Sequence, residues 1–405
     1  MVVGSISPGC TGAIADVGRR QTAVCFLCIS LATLFLPITA LAADQDNSTD
    51  TLANSGGLPP SFPQTPPEQS SGPPRWTASI EAIVLERFGS GVNQSLVARL
   101  PGTVPFLKPP YDTATAPSVE AFNASQFPQV FSAGPKIGLT YHGESGYGAE
   151  LSYLNILKQS ATKIVGPDSP PDWLVMKAPG IFWQTQDFPY QGMTWSDTTD
   201  LYSAEANGQF NLPSHVSLVA GVRWLQLNDY LLGTLTPADR TAPTWKQSNP
   251  GDNVFQVTTG TSPAGNYPPF WNTGTTNNLY GAQIGMEGTI FKSGGWSLDG
   301  LIKIGLFDNN ARQSTGVSLQ KQVYPSTAST NHATFVSEAG VQLKYQLTRG
   351  LALKAGYEAL WLDGVALATG QIQETVTLAN VRTRGVNSGS NVLFHGATIG
   401  LEYLF

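Results

Sequence analysis

Ten stretches of this chain alternate apolar with polar or small residues, and the connections between them alternate between long and short. The stretches are 76–87, 134–142, 146–157, 200–211, 215–228, 277–291, 295–307, 333–347, 350–363 and 392–405. In 215–228, Val216, Leu218, Ala220, Val222 and Trp224 share one face; in 350–363, Leu351, Leu353, Ala355, Tyr357, Ala359 and Trp361 do so. A period of two is the period of a strand, because successive side chains leave opposite faces. Short spacers fall at 143–145, 211–214, 292–294 and 348–349, and long ones at 88–133, 158–199, 229–276, 308–332 and 364–391. Loops this long count against a compact soluble domain, whereas a membrane barrel carries short turns on one side and long loops on the other. The pattern predicts an all-β, transmembrane antiparallel up-and-down β-barrel of 10–12 strands over residues 76–405, with long extracellular loops. A hairpin within 88–133 would raise the strand number from ten to twelve.

Composition agrees. Only 12% of residues are charged, 10% are aromatic and 42 are Gly; soluble domains carry about 25% charge. Mean hydropathy is −0.07, and no run beyond residue 43 resembles the roughly 20 apolar residues of a spanning helix. The net charge is −6 and there are no basic runs, which excludes nucleic acid as an expected partner. Residues 1–42 read as a signal peptide. Arg19 and Arg20 precede the apolar run TAVCFLCISLATLFL, and Ala40-Leu41-Ala42 is a small-residue cleavage site. Cys10, Cys25 and Cys28 all lie in it, so no disulfide or cysteine metal site is expected in the mature chain. Residues 43–75, with Pro59, Pro60, Pro63, Pro66, Pro67, Pro73 and Pro74, read as a Pro-rich periplasmic linker.

The two faces of the strands differ in kind. One carries the apolar residues, with aromatics near strand ends: Trp76, Tyr147, Tyr202, Trp224, Tyr280, Trp296, Tyr345, Trp361, Tyr403 and Phe405. A ring with one wet edge suits a membrane interface. The other face carries eight acids (Glu81, Glu150, Glu205, Glu287, Asp299, Glu338, Glu358, Glu402) and five bases (Lys136, Arg223, Lys303, Lys344, Lys354). Unpaired in a dry core these would be prohibitive; facing a watered or ion-paired lumen they are tolerated. Glu150, Glu205, Arg223, Glu287, Lys303, Glu338, Lys344 and Glu358 are the candidate lumen-lining residues. Gly221, Gly281, Gly285, Gly305, Gly340, Gly356 and Gly400 share that face and would allow the curvature of a narrow barrel.

The last strand, VLFHGATIGLEYLF, ends on Phe405, with Tyr403, Gly400 and Thr398 before it. It resembles the C-terminal signal read by the bacterial outer-membrane assembly machinery, so Thr398, Gly400, Tyr403 and Phe405 are the candidate assembly signal. GVRWLQL (221–227), NNLYGAQIG (277–285), LIKIGL (301–306) and GATIGLEYLF (396–405) resemble, in order, the strand motifs of the putative beta-barrel porin family, type seven. The resemblance covers about 120–405 and is best from 215 onward. It implies a bacterial outer-membrane porin, with outer-membrane lipid and the assembly machinery as partners and ions or small solutes as passengers.

The search for chemistry yields one candidate. His215 and Ser217 share a strand face, with Asn207 and Asn211 on the preceding strand, an arrangement that resembles the Ser-His-Asn site of outer-membrane phospholipase. Here the pair would face inward at the periplasmic end rather than lipid, and a solvated turn histidine is the better reading. His142 and Glu144 flank a turn, and two residues do not make a metal site. No enzyme, cofactor or metal is expected. Trp173, Trp183, Trp195, Trp245 and Trp271 lie in the long connections, where they could narrow a pore or meet an external ligand. The expected function is a passive porin or narrow channel for ions or small solutes, with weak cation preference from the acid excess. The alternative is a non-conducting structural or surface-binding barrel acting through its loops, because barrels of about eight strands are filled by side chains while open channels need about 16–18.

Overall fold

The computed structural model describes residues 76–89, 93–100, 119–143, 146–166, 173–176, 190–212, 215–237, 242–247, 255–262, 270–319, 322–374 and 385–405. The segments read as signal peptide and linker lie outside them. Fifteen strands run in chain order: β1 (Trp76–Phe88), β2 (Ser95–Leu100), β3 (Val119–Asn123), β4 (Phe131–His142), β5 (Tyr147–Val165), β6 (Trp173–Met176), β7 (Tyr190–Asn211), β8 (Val216–Pro237), β9 (Ala242–Gln247), β10 (Phe255–Ser262), β11 (Phe270–Ser293), β12 (Trp296–Leu319), β13 (Gln322–Gln346), β14 (Leu351–Val365) and β15 (Ser390–Leu404).

Ten of them close a ring. Each pairs antiparallel with the next, from β4 through β1, β15, β14, β13, β12, β11, β8, β7 and β5 back to β4. The last strand closes on the first, from Thr77↔Leu404 to Phe88↔Leu393. Residues 88–133 do hold a hairpin, β2–β3, but it pairs with β6, which branches from the wall strand β7, and takes no place in the closed ring, so the strand number stays at ten. The turns at the end where β1 begins and β15 ends are tight. Ser293 pairs with Trp296 across Gly294-Gly295, with Gly294 at φ +57°, a left-handed conformation that glycine adopts without a Cβ clash.

Strands on the long-connection side run far beyond the sequence expectation: β12 has 24 residues and β13 has 25. The extensions, such as DNNARQSTGVSL of β12, are polar on both faces and so show no apolar alternation. A wall standing in water on its outer side has no reason to show one.

The outward apolar face is exposed. On β12 it runs from Trp296 to Leu306 and ends at Asp308, close to the roughly 9–11 residues a tilted strand needs to cross a membrane. Aromatic pairs mark its lower edge: Trp76–Tyr141 (5.0 Å between ring centroids), Tyr147–Phe210 (5.1 Å) and Trp296–Tyr345 (4.5 Å). Tyr280 marks the upper edge.

Inside, upper positions are apolar. Ile83, Leu85, Leu154, Ile156, Leu201, Leu225, Leu227, Leu279, Phe307, Val336, Leu360, Leu362, Val392 and Phe394 are buried in one cluster, each such side chain stabilising by about 1.5–3 kcal/mol. Phe307 lies against Gly281, where an added Cβ would stand 2.5 Å from the ring and 2.2 Å from the Leu306 carbonyl oxygen. The inward glycines therefore make room for inward rings, besides easing curvature. Phe307→Ala is expected to cost about 3–5 kcal/mol in equilibrium unfolding and Phe307→Leu, which leaves a smaller cavity, distinctly less; equal stability of all three proteins would show that the layer is not packed.

Candidate functional site

The barrel interior is stacked in levels, and alternation decides what each contains. On β1 the inward residues are Thr77, Ser79, Glu81, Ile83, Leu85 and Arg87. Polar, charged, apolar and again charged groups thus follow one another up the axis.

The lower level holds the charges expected of a lumen, and all eight candidates point inward. Arg223 pairs with Glu338 and donates from Nε to Ser203 Oγ at 2.8 Å. Lys303 reaches Glu205 at 3.1 Å and Glu150 at 3.7 Å. Lys136 pairs with Glu358. Lys344 bridges Asp299 (3.2 Å) and Glu402 (3.0 Å), and Lys354 bridges Glu81 (2.9 Å) and Glu402 (3.3 Å). Glu287 accepts from Gln209 Nε2 at 2.7 Å. The charges are thus partnered across the ring and tie distant strands together. A cavity of about 330 Å³ remains at the tight-turn end, lined by Ser79, Glu287, Asp299, Gln342 and Lys344 among others.

Above the charges lies the apolar layer, and above that a part of the β14–β15 connection turns into the barrel mouth. Val365, Ala366, Leu367, Ala368 and Thr369 are fully buried. Inward polar side chains hold this segment by its backbone. Asn277 accepts from Ala366 N at 2.7 Å and donates to Ala366 O at 2.8 Å; Thr275 donates to the same oxygen at 2.9 Å. Asp229 accepts from Ala368 N at 2.8 Å, and Arg87 steadies Asp229 at 2.8 Å and Asp197 at 3.1 Å. Thr334 donates to Gly364 O at 2.8 Å. Buried backbone groups need such partners. A second apolar cluster covers the segment, joining Leu96, Phe122, Leu174, Met193, Trp195, Leu231 and Trp271 to Ala368. The β2–β3 hairpin is therefore part of the stopper.

Trp195 and Trp271 are wholly buried in this cluster, so they pack rather than meet external ligands. Trp183, and the side chains of Trp173 and Trp245, lie outside the described residues. The inward apolar layer and the inserted segment were missed from sequence. A signal for the first existed: AIVL (82–85), WLQL (224–227), LWL (360–362) and VLF (392–394) lose the alternation, as a strand dry on both faces must.

The hydrolytic candidate is not assembled as a triad would require. Ser217 donates its hydroxyl proton to Asn211 Oδ1 at 2.6 Å, and His215 sits in the turn at φ +60°. Among the described residues no group of three or more His, Cys, Asp and Glu could hold a metal ion. Of the four residues read as the assembly signal, Tyr403 and Phe405 are exposed and Thr398 is buried inside. Gly400 abuts β1, where a Cβ would meet Ile80 O at 2.2 Å.

Residues 253–405 match the family model described as putative beta barrel porin-7. The match contains three of the four motifs on which the resemblance was drawn; 221–227 lies before it. No functionally curated protein matches the chain. Among solved structures, the outer membrane protease OmpT from Escherichia coli is similar at 10% identity, with 84% of this chain and 99% of that one covered and a TM-score of 0.37. The translocator domain of the autotransporter NalP from Neisseria meningitidis follows at 10%, 81%, 88% and 0.33. A Pseudomonas aeruginosa FadL homologue follows at 11%, 82%, 90% and 0.26. Likenesses this loose carry no argument about activity. With the register, the apolar band and the family match together, the chain is a ten-stranded β-barrel of the bacterial outer membrane.

The ion pairs make a prediction. Arg223→Met leaves Glu338 buried without its partner and is expected to cost about 3–5 kcal/mol, whereas Arg223→Met with Glu338→Leu is expected to recover most of that loss. Equilibrium unfolding of the two variants checks it, and an equally damaged double variant would contradict it.

Proposed function

We propose that this protein is an outer-membrane barrel of the porin-like kind that is closed at rest and carries out its function at its outer face. The observation behind this reading is the continuous fill above the charged level: an apolar layer, a buried chain segment and a second apolar cluster in succession. A ring of ten strands encloses little more than the side chains of an eight-stranded barrel can fill, and this sequence supplies bulky ones. The paired charges add nothing that water must reach. We also read the protein as non-enzymatic, since the family match points to a porin-like barrel and the Ser217 hydroxyl is committed to Asn211.

The second reading is the passive channel with weak cation preference. What favours it is the lower cavity with its surplus of acids, together with a mouth closed by side-chain hydrogen bonds to one chain segment. Such a segment could leave without breaking the wall.

Single-channel recording in a planar bilayer under a salt gradient separates the two. The closed reading expects folded, heat-modifiable protein with no discrete steps. It expects none either when the mouth segment loses its anchors in the double variant Asp229→Ala with Asn277→Ala, because the apolar layer beneath still fills the bore, whereas the channel reading expects larger cation-biased steps from that variant. Cation-selective steps from the unaltered protein would overturn closure and establish the passive pore.

A further inference from the structure

Above the apolar band, the outer surface of the wall is not a plain solvated face. Two circumferential rows of side chains stand in register there. The lower row sets Asn228, Thr276 and Arg312 side by side; the upper sets Tyr230, Gly274 and Ser314 directly above. Between them opens a groove of about 820 Å³, flanked by Lys158 and Asp200.

The chemistry of the groove points to a sugar bearing phosphate. Tyr230 is 40% exposed, and its neighbour Gly274 has no side chain; a Cβ there would lie 3.5 Å from the ring. The glycine leaves an aromatic platform uncovered, and the apolar CH face of a pyranose stacks on such a platform. Hydroxyls and amides on both sides supply donors and acceptors. Asp200 is held by Asn228, which donates to it at 2.7 Å. Arg312 is exposed, with Nε donating to Asn310 Oδ1 at 2.9 Å. Asn310 in turn donates from Nδ2 to Asn331 Oδ1 at 2.6 Å. Nε of the guanidinium is thus tied into a short row of surface hydrogen bonds, and its terminal nitrogens face the groove's solvent. Neither Arg312 nor Lys158 forms an ion pair among the described residues. Positioned guanidinium groups bind phosphate in bidentate fashion.

Height decides which membrane component reaches this groove. Thr276 lies two outward steps above Tyr280, which ends the apolar band. Four residues of strand tilted by about 40° rise roughly 10 Å along the membrane normal. The headgroup layer on each side of a bilayer is only about 5–7 Å deep. A phospholipid headgroup therefore ends below the groove, whereas the phosphorylated saccharide of an outer-leaflet glycolipid extends through it. We propose that it is a binding site for the phosphorylated saccharide headgroup of an outer-leaflet glycolipid, with Tyr230 as stacking platform and Arg312 as phosphate ligand. This assignment stands whether or not the barrel conducts.

The test is native mass spectrometry of the full chain in detergent, titrated with purified rough-type lipopolysaccharide. The unaltered protein is expected to hold one glycolipid. Tyr230→Ala and Arg312→Ala are each expected to weaken binding about tenfold or more, and Tyr147→Ala, at the opposite edge of the band, to leave it unchanged. Heat-modifiable mobility on gels verifies folding; should Tyr230→Ala fail it, Gly274→Leu fills the groove without removing the ring and is expected to block binding. Equal affinity in the unaltered protein and the groove variants would overturn the site. Variant-sensitive binding of phosphatidylglycerol instead of the glycolipid would overturn the saccharide assignment. The delipidated phosphorylated oligosaccharide binding as tightly as the glycolipid would overturn the membrane source.

Discussion

A ring of ten strands leaves its inward side chains little space except against one another. That narrowness governs the rest of the structure. Carboxylates and ammonium groups facing such an interior must find partners, so Arg223 meets Glu338 and Lys354 bridges Glu81 and Glu402. Rings facing it must find gaps, so Phe307 lies over Gly281 and Gly305. The same constraint decides how the interior of the barrel is filled. Its own side chains and one reentrant stretch of a loop fill the bore.

Much of the wall was legible in the sequence. All ten strands were foreseen, because a wall between lipid and a polar interior must alternate, and the inward charges followed from the same period. The tight turns and long connections told the two ends of the barrel apart. Legibility failed where the physical contrast between faces fails. The extensions at 308–319 and 322–332 are wet outside and polar inside, so they read as loop. The upper inward layer, with Leu225, Leu227, Leu360 and Leu362, is apolar on both faces, so a reading tuned to alternation passed over it. The insertion of Ala366–Ala368 depends on anchors more than 80 residues distant, such as Asn277 and Asp229, and no local pattern announces it. The β2–β3 hairpin was allowed for but placed in the wall, whereas its apolar residues seal the mouth.

The levels suggest a division of labour along the axis. Ion pairs brace the half nearest the tight turns, the apolar layer excludes water at mid-height, and the hydrogen-bonded segment with its tryptophan-rich cover closes the outer end. Outside, the surface changes from aliphatic to aromatic to amide and hydroxyl within a few residues of strand. Inside and outside are therefore independent designs on one wall, which is what a period of two permits.

The central claim is that the bore is sealed above the charged level. It is tested most directly by thiol accessibility at Gln342, which lines the cavity below the apolar layer. Gln342→Cys, in a chain with Cys10, Cys25 and Cys28 replaced by serine, is reconstituted in oriented vesicles, with Ser329→Cys on the outer wall reporting orientation. A membrane-impermeant thiol reagent is then applied to one side at a time. A sealed bore predicts reaction from the tight-turn side alone. Comparable labelling from the long-loop side would mean a water path through the barrel, and the closed reading would be wrong.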